Sequence, residues 1–304
     1  MQFLKQDLSA EKLIELYKQL VLPRLIEEKM LVLLRQGKIS KWFSGIGQEA
    51  IAAGATAALQ PDEWIMPLHR NLAVFTGRNM PLSKLFMQWQ GNKDGYSKGR
   101  ERSFHFGSKE HHVCGMISHL GPQLAIADGV ALAYKLQKAN KVALAFTGDG
   151  GTSEGDFHEA LNVAAVWDLP VIFVIENNGY GLSTPVNEQY RCISLVDKAK
   201  GYGMEGVQID GNDVKPGFGQ HRGCRFPDID RRRVAVDKDD RRLRRVAEFL
   251  IMHAGSVDIY EMRPLRMHDM IGDHIPSHSV RPCQKLHSHR RANRSTHGTA
   301  NCYR

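Results

Sequence analysis

The sequence of 304 residues lacks the features that identify several common classes of protein. No apolar run approaches the ~20 residues that a membrane-spanning helix needs, so we predict no contact with a membrane. The N-terminal segment alternates charged and apolar residues and has no signal-peptide core. Five cysteines, an odd number without metal-ligand spacing, are typical of a reducing compartment. We therefore expect a cytoplasmic protein.

Several motifs that indicate particular classes of active site are also missing from the sequence. The sequence contains no P-loop lysine motif, no H-E-x-x-H and no C-x-x-C, so it offers no signal for a P-loop nucleotide site, a zinc protease or a dithiol redox centre. No internal repeat or low-complexity block interrupts it. A hydrophobic content of 42% is enough to bury the core of one large domain or of two.

Charge is distributed unevenly along the chain. Residues 1–214 hold 22 basic and 23 acidic side chains, whereas residues 215–304 hold 16 arginines and 3 lysines against 10 acids. We therefore divide the chain at Val214 into a main domain and an atypical Arg/His-rich tail. The change of composition indicates a tail that is frameshifted, disordered or otherwise foreign to the fold. The alternative is a basic-tailed protein that binds nucleic acid or another anionic surface.

The rest of the chain is organised around residues 142–183. An apolar run of strand length, Val142 to Phe146, is followed by the cluster Gly148-Asp149-Gly150-Gly151. Apolar residues at helical spacing come next, and a second β-branched run ends on Asn177-Asn178. This order predicts a βαβ unit whose two strands end at the same edge of a parallel sheet. Ligands of open parallel sheets bind at that edge.

The polar residues at these two strand ends suit a metal-bound diphosphate. Magnesium prefers oxygen ligands and takes few of them from protein. The carboxylate of Asp149, the amide oxygen of Asn178 and the backbone carbonyl of Tyr180 would supply that share. Gly150 and Gly151 would let backbone N–H groups approach phosphate oxygens at the start of a helix.

The text GDFHEALNVAAVWDLPVIFVIENNGYGLSTP, preceded by GDG, resembles the alpha subunit of the thiamine diphosphate-dependent 2-oxo acid dehydrogenases (pyruvate, branched-chain and acetoin types). Similar blocks occupy residues 45–59, 67–82, 118–133 and 201–214. The resemblance therefore covers nearly all of residues 1–214. It implies an α/β fold in which helices flank a parallel sheet, with a helical N-terminal region; residues 1–214 would form the diphosphate and metal half of the cofactor site.

The resemblance also implies which residues bind the cofactor. They are Arg70, Ser118, Leu120, Gly148, Asp149, Gly150, Gly151, Asn178 and Tyr180, of which Asp149, Asn178 and Tyr180 would bind magnesium. No catalytic residue is assigned, and His119 stays open as an acid–base group. Two positions depart from the family: His69 replaces the tyrosine that precedes the arginine, and Glu176 stands where some relatives have an arginine that holds the diphosphate.

The function implied is that of the decarboxylating component of a 2-oxo acid dehydrogenase complex, which uses thiamine diphosphate and magnesium and passes the acyl group to a lipoyl carrier. Its partners would be a beta subunit in an α₂β₂ assembly and a lipoyl-bearing acyltransferase component, with no nucleic acid. The 2-oxo acid stays open. The family's late strand and its diphosphate-contacting histidine have no match beyond Val214, and His268 and His274 lie in the wrong context. We therefore expect a chain that binds cofactor poorly or is inactive.

Two further readings stay open at this point. Gly151 to Gly155 form a G-x-S-x-G pattern, which would make Ser153 the nucleophile of a serine hydrolase. Against this, the preceding strand ends too early for a tight elbow, and Ser153 suits the start of a helix. The aperiodic segment 89–112 either borders the substrate channel, together with Trp42 and Phe43, or is a solvated insertion.

Overall fold

The computed structural model describes residues 8–212, Val214 and the strand at 248–253. Seven helices are present in this part of the chain: α1 (Ala10–Arg35), α2 (Glu49–Ala58), α3 (Leu72–Gly77), α4 (Leu82–Trp89), α5 (Pro122–Leu136), α6 (Gly155–Val166) and α7 (Val196–Gly201). The strands are β1 (Ile65–Met66), β2 (Ala143–Gly148), β3 (Val171–Asn177), β4 (Tyr180–Gly181), β5 (Thr184–Pro185), β6 (Glu205–Asp210) and β7 (Glu248–His253). Short 3-10 turns occupy Gly150–Ser153 and Val186–Glu188. No described helix combines the length and apolarity that crossing a bilayer requires.

Helix α1 begins after the N-cap residue Ser9. The hydroxyl of Ser9 accepts a hydrogen bond from the backbone N–H of Lys12 at 3.3 Å, which satisfies one of the unpaired donors of the first turn. The helix then continues for 26 residues through Pro23 and buries Leu16 and Met30. It forms one flank of the N-terminal helical region.

The main sheet has five parallel strands in the order β1-β2-β3-β7-β6. Strands β2 and β3 are joined by α6 and pair over their whole length, with Gly148 opposite Glu176. The predicted βαβ unit is therefore confirmed. Residues Glu205–Asp210 form β6 at the edge of the same sheet.

One strand of the sheet lies beyond Val214, where the sequence has no match to the late strand of the family. Residues Glu248–His253 pair in parallel with β3 on one side and β6 on the other, so the sheet is not missing an element at this position. This strand could not be predicted from the composition of the tail, because pairing with strands that are distant in the sequence leaves no local signal. The rest of the tail, with His268, His274 and the frameshift and nucleic-acid hypotheses, lies outside the described residues.

Helices cover both faces of the sheet. Alternate residues of β2 and β3 point to opposite sides: Leu144, Phe146, Ile172 and Val174 belong to the cluster that includes α2 and α3, whereas Ala143, Ala145, Phe173 and Ile175 join α5 and α6. Strands buried on both faces read as continuous apolar runs, which explains their appearance in the sequence. The predicted α/β class is confirmed.

The segment 89–112 is anchored to the core near its C-terminal end, whereas most of residues 90–102 is exposed. Phe104 and Phe106 are buried and pack on Phe75, with ring centroids 5.3 and 5.0 Å away. Trp42 packs on Phe104 at 5.2 Å. These contacts fix the segment against the core while leaving the residue between the two phenylalanines, His105, on the opposite side.

Candidate functional site

A cavity of about 650 Å³ lies at the carboxyl ends of β2 and β3. Seven of the nine predicted cofactor-binding residues line it: Arg70, Ser118, Gly148, Asp149, Gly150, Asn178 and Tyr180. These residues come from four separate segments of the chain, and parallel pairing of β2 with β3 brings the two polar strand ends together. The structure thus places the predicted residues around one space, and their individual roles stay predictions.

Asp149 is buried, with 1% of its surface exposed. Its Oδ2 atom has no hydrogen-bond partner among the described residues. Burial raises the pKa of its carboxyl group, while backbone N–H groups and the nearby charge of Arg70 act in the opposite direction. A buried carboxylate oxygen without a partner is costly in a folded chain, and a cation would relieve that cost. Asp149 therefore fits a metal ligand.

The loop after β3 is held by two asparagine side chains. Asn177 Oδ1 accepts from the N–H of Gly179, and Asn178 Oδ1 accepts from the N–H of Tyr180, both at 3.1 Å. An amide oxygen has two lone pairs, so Asn178 keeps one for a cation. No described group of three His, Cys, Asp or Glu side chains forms a metal centre. A metal bound at Asp149 would therefore need oxygen ligands from the bound diphosphate.

Glycine is required at two points of the loop after β2. A Cβ at Gly150 would lie 3.0 Å from the Cα of Gly181, and one at Gly151 would lie 2.3 Å from Thr147 Oγ1. Bare backbone at Gly150 leaves the amide accessible to an anion in the cavity. Gly151 and Leu120 do not line the cavity; they meet below it, where the Leu120 carbonyl accepts from Thr147 Oγ1 at 2.9 Å.

The side chains of Arg70 and Glu176 lie close enough for their charges to interact. Arg70 lines the cavity, and its buried Nε atom has no hydrogen-bond partner among the described residues. Glu176 is fully buried, does not line the cavity and accepts a hydrogen bond from the amide of Asn71. Burial raises the pKa of the Glu176 carboxyl, opposed by the charge of Arg70. Arg70 is therefore the cation that an anion bound at this position would contact.

His69 stands beside Arg70 and packs edge-on against Phe43, with ring centroids 4.8 Å apart. Burial, reinforced by the charges of Arg70, His105 and Lys41, lowers the pKa of His69 from 6.5 to about 4. The folded chain therefore resists a proton that the unfolded chain accepts below pH 6.5. Stability contributed by neutral His69 is lost as the pH falls from about 6.5 towards 4.

A His69→Tyr variant tests this pH dependence, because tyrosine keeps a ring against Phe43 and does not titrate in this window. Between pH 6.5 and about 4, we expect the free energy of unfolding to fall more steeply in the wild type than in the variant. Urea unfolding at several pH values measures both curves, with His111→Gln as a control outside the cavity. Parallel curves would contradict the assignment.

The cavity also contains residues that sequence reasoning missed. Lys41 and His105 line it, and His105 Nε2 lies 2.6 Å from Ser118 Oγ. Trp42 and Phe43 line it as predicted. The alternation Phe104-His105-Phe106 is a signal that could have found His105, since side chains of an extended segment point to opposite sides. No sequence motif around Lys41 indicates a functional site.

The wall formed by residues 42–45 is held by a buried carboxylate on α1. Glu27, 1% exposed, accepts from Trp42 Nε1 at 2.6 Å and from the N–H of Gly45 at 2.8 Å. Gly45 itself packs so closely that a Cβ would lie 2.4 Å from the carbonyl oxygen of Arg70. Glu27 therefore fixes the cavity wall relative to the segment that carries Arg70.

Replacing Glu27 by alanine should lower the free energy of unfolding by about 3 kcal/mol, because two buried N–H donors lose their charged acceptor. Chemical denaturation measures the loss. Glu28→Ala, on the exposed side of the same helix, should change stability by less than about 0.5 kcal/mol. Equal effects of the two substitutions would show that the buried hydrogen bonds do not hold the wall.

Neither Ser153 nor His119 forms a nucleophile–base pair within the described chain. Ser153 Oγ donates to the carbonyl of Gln189 at 3.0 Å. It ends the 3-10 turn, and Glu154 is the N-cap residue of α6. His119 is exposed, does not line the cavity and lies near enough to Glu154 for their charges to interact. The geometry gives the serine hydrolase reading no support.

Comparison with known proteins identifies one family. The sequence profile described as Dehydrogenase E1 component matches residues 17–216. The chain is 38% identical over 217 residues to the 2-oxoisovalerate dehydrogenase subunit alpha 1, mitochondrial, of Arabidopsis thaliana, covering 71% of this chain and 46% of that protein. The corresponding alpha subunit of Homo sapiens is 37% identical over 207 residues, covering 68% and 46%, and that of Caenorhabditis elegans is 35% identical over 225 residues, covering 74% and 52%. The chain spans about half the length of these curated relatives.

Proposed function

The chain belongs to the dehydrogenase E1 component family, and we propose from this premise that it is the diphosphate- and metal-binding alpha subunit of a 2-oxo acid dehydrogenase. The observation that carries the proposal is the cavity at the ends of β2 and β3. There Asp149, Asn178 and Arg70 line one space, and the Oδ2 atom of Asp149 is buried without a hydrogen-bond partner among the described residues. The similarity to alpha subunits at 35–38% identity supports the same reading.

The residues present fit a magnesium diphosphate group. Asp149, Asn178 and the Tyr180 carbonyl would hold the metal, because all three offer oxygen atoms at the end of the same strand pair. Arg70 would neutralise the diphosphate, since a guanidinium fork suits phosphate oxygens. When bound, thiamine diphosphate supplies the electron sink for decarboxylation. The chain's own contribution would be to hold the metal and the diphosphate through these residues, in a cavity that Trp42, Phe43 and Ser44 also line.

We propose a branched-chain 2-oxo acid as the substrate. The support is the name of the relatives, 2-oxoisovalerate dehydrogenase, together with the aromatic and apolar wall that Trp42, Phe43 and Met116 contribute to the cavity. An apolar wall favours an aliphatic side chain over a small one by about 1–3 kcal/mol per methylene group at most. The acyl group would pass to a lipoyl carrier on an acyltransferase component.

The proposed assembly is α₂β₂ with a beta subunit of the same enzyme. The relatives are named as alpha subunits, and the exposed side chains of Tyr180 and Leu182 at the cavity mouth suit coverage by a partner. Cytoplasmic localisation stays a prediction. The names of these relatives, by contrast, include the word mitochondrial. Impaired activity stays an expectation from the tail's composition, whereas the proposed function is that of an active subunit.

Reconstitution tests the function. The full chain is combined with a beta subunit of the family, thiamine diphosphate and magnesium, and carbon dioxide release is measured with 2-oxoisovalerate and with pyruvate. We expect release from both, with the higher kcat/KM for 2-oxoisovalerate. Preference for pyruvate would overturn the substrate proposal. Release from neither substrate, with an assembled complex that binds the cofactor, would overturn the proposed activity.

A further inference from the structure

A half-buried lysine on α7 lies against the loop that carries Asp149. The ammonium group of Lys198 donates to the carbonyl oxygen of Thr152 at 2.6 Å and contacts Thr152 Oγ1 at 3.0 Å. No carboxylate pairs with Lys198 within the described residues. Instead, its charge faces the rings of Phe157 and Tyr190, at 5.4 and 5.2 Å from their centroids.

Burial without a carboxylate partner lowers the pKa of Lys198, which means that the site is a costly one for a cation. A lysine with a long flexible stem could place its charge in water instead. The two bonds to Thr152 and the two ring faces hold it inward. These contacts indicate that the charge of Lys198 has a structural role.

Thr152 also bonds to Asp149. Its Oγ1 atom lies 2.7 Å from the carbonyl oxygen of Asp149, which can only accept, so the hydroxyl group donates to it. The ammonium group of Lys198 can only donate, so Thr152 Oγ1 accepts from it through a lone pair. Lys198 therefore holds the hydroxyl group whose proton goes to Asp149.

Asp149 is thus held from both sides of its backbone. Its N–H donates to the carbonyl of Glu176 on β3 at 3.2 Å, and its carbonyl accepts from Thr152. The Oδ2 atom of the carboxylate between these anchors is buried and has no hydrogen-bond partner among the described residues. Removing either anchor would free the peptide that sets the direction of the carboxylate.

We propose that Lys198 is a positioning residue for the metal site, which acts through Thr152 to fix the Asp149 loop. The proposal rests on the proposed function for its metal and on the hydrogen bonds above for its mechanism. Groups that orient a metal ligand without touching the metal commonly change metal affinity by about 10–100-fold. Lys198 has this position although it belongs to α7, which contains none of the predicted metal ligands.

Two measurements on the full chain test the proposal in Lys198→Met, which keeps the apolar stem and removes the donor. The first is amide hydrogen exchange without cofactor. We expect exchange at residues 152–154 to become about tenfold faster, since a charge-assisted hydrogen bond is lost. The second is a magnesium titration with a beta subunit of the family and saturating thiamine diphosphate present, where we expect the magnesium Kd to rise about tenfold.

Matched variants separate this mechanism from a general loss of charge. Lys200→Met removes a lysine two residues away, which is exposed and pairs with Asp197 at 3.1 Å; both measurements should stay at wild-type values. Thr152→Val removes the hydroxyl group and keeps the carbonyl bonded to Lys198, so it should give part of the same effect, and the double variant should show less than the sum of the two single effects. Thr152→Ser, which keeps the hydroxyl, should behave as the wild type.

The outcomes distinguish this proposal from the function on which it rests. Unchanged exchange and an unchanged magnesium Kd in Lys198→Met, with binding abolished by Asp149→Asn, would overturn the role of Lys198 and leave the proposed function intact. Failure of the wild type itself to bind magnesium would overturn the proposed function. Faster exchange in Lys198→Met would then still establish that Lys198 holds the Asp149 loop.

Discussion

Replacing Asp149 by asparagine is expected to weaken magnesium-dependent binding of thiamine diphosphate by about 100-fold or more, since a lost metal ligand should cost at least as much as a lost supporting group. The carboxylate is buried, and Oδ2 has no partner among the described residues. Asparagine has nearly the same volume, so the cavity keeps its shape. What disappears is the negative charge that would hold the metal.

The same substitution should leave the fold as stable as the wild type or more stable. Burial raises the pKa of Asp149, which means that its ionised form is unfavourable in the free chain, and the variant removes that cost. Calorimetric titration and thermal unfolding measure the two effects. Glu159→Gln, on the exposed side of α6, is the control and should change neither. Full binding by Asp149→Asn would remove Asp149 from the metal site.

Replacing Arg70 by methionine should give the second largest effect, a loss of affinity for the diphosphate of about 10–100-fold. Hydrogen bonds between charged groups contribute about 1.5–3 kcal/mol each, and the guanidinium lines the cavity with a buried Nε atom that has no partner among the described residues. Arg70→Lys should recover only part of the affinity, because an ammonium group keeps the charge and lacks the planar fork.

Competition with inorganic pyrophosphate measures the Arg70 effect separately from contacts to the rest of the cofactor. The wild type should bind pyrophosphate with magnesium, and Arg70→Met should lose most of that binding. Arg100→Met replaces an exposed arginine of the 89–112 segment and should bind as the wild type does. Equal affinities for Arg70→Met and Arg100→Met would place the diphosphate elsewhere.

The parts of the fold that could be predicted are those with a local signal. The β2–α6–β3 unit follows from apolar runs bounded by glycine and asparagine, and α1 starts at a serine cap. The polar residues at the ends of β2 and β3 could be placed together because parallel strands joined by one helix end at one edge. Recognition of the family then extended the prediction to Arg70 and Ser118.

The parts that could not be predicted depend on contacts across the chain. β7 enters the sheet between β3 and β6, far in sequence from both. His105 reaches the cavity only because Phe104 and Phe106 enter the core. The contact of Lys198 with Thr152 joins residues 46 positions apart, and an isolated lysine near a short helix gives no sign of it.

The measurement that tests the central claim most directly is calorimetric titration of the wild-type chain, assembled with a beta subunit of the family, with thiamine diphosphate in the presence and absence of magnesium. A site built on the single carboxylate of Asp149 and the cation of Arg70 predicts saturable binding with one cofactor per alpha chain, and its loss when magnesium is removed. Equal binding with and without magnesium, or none in either condition, would contradict a metal–diphosphate site at the ends of β2 and β3.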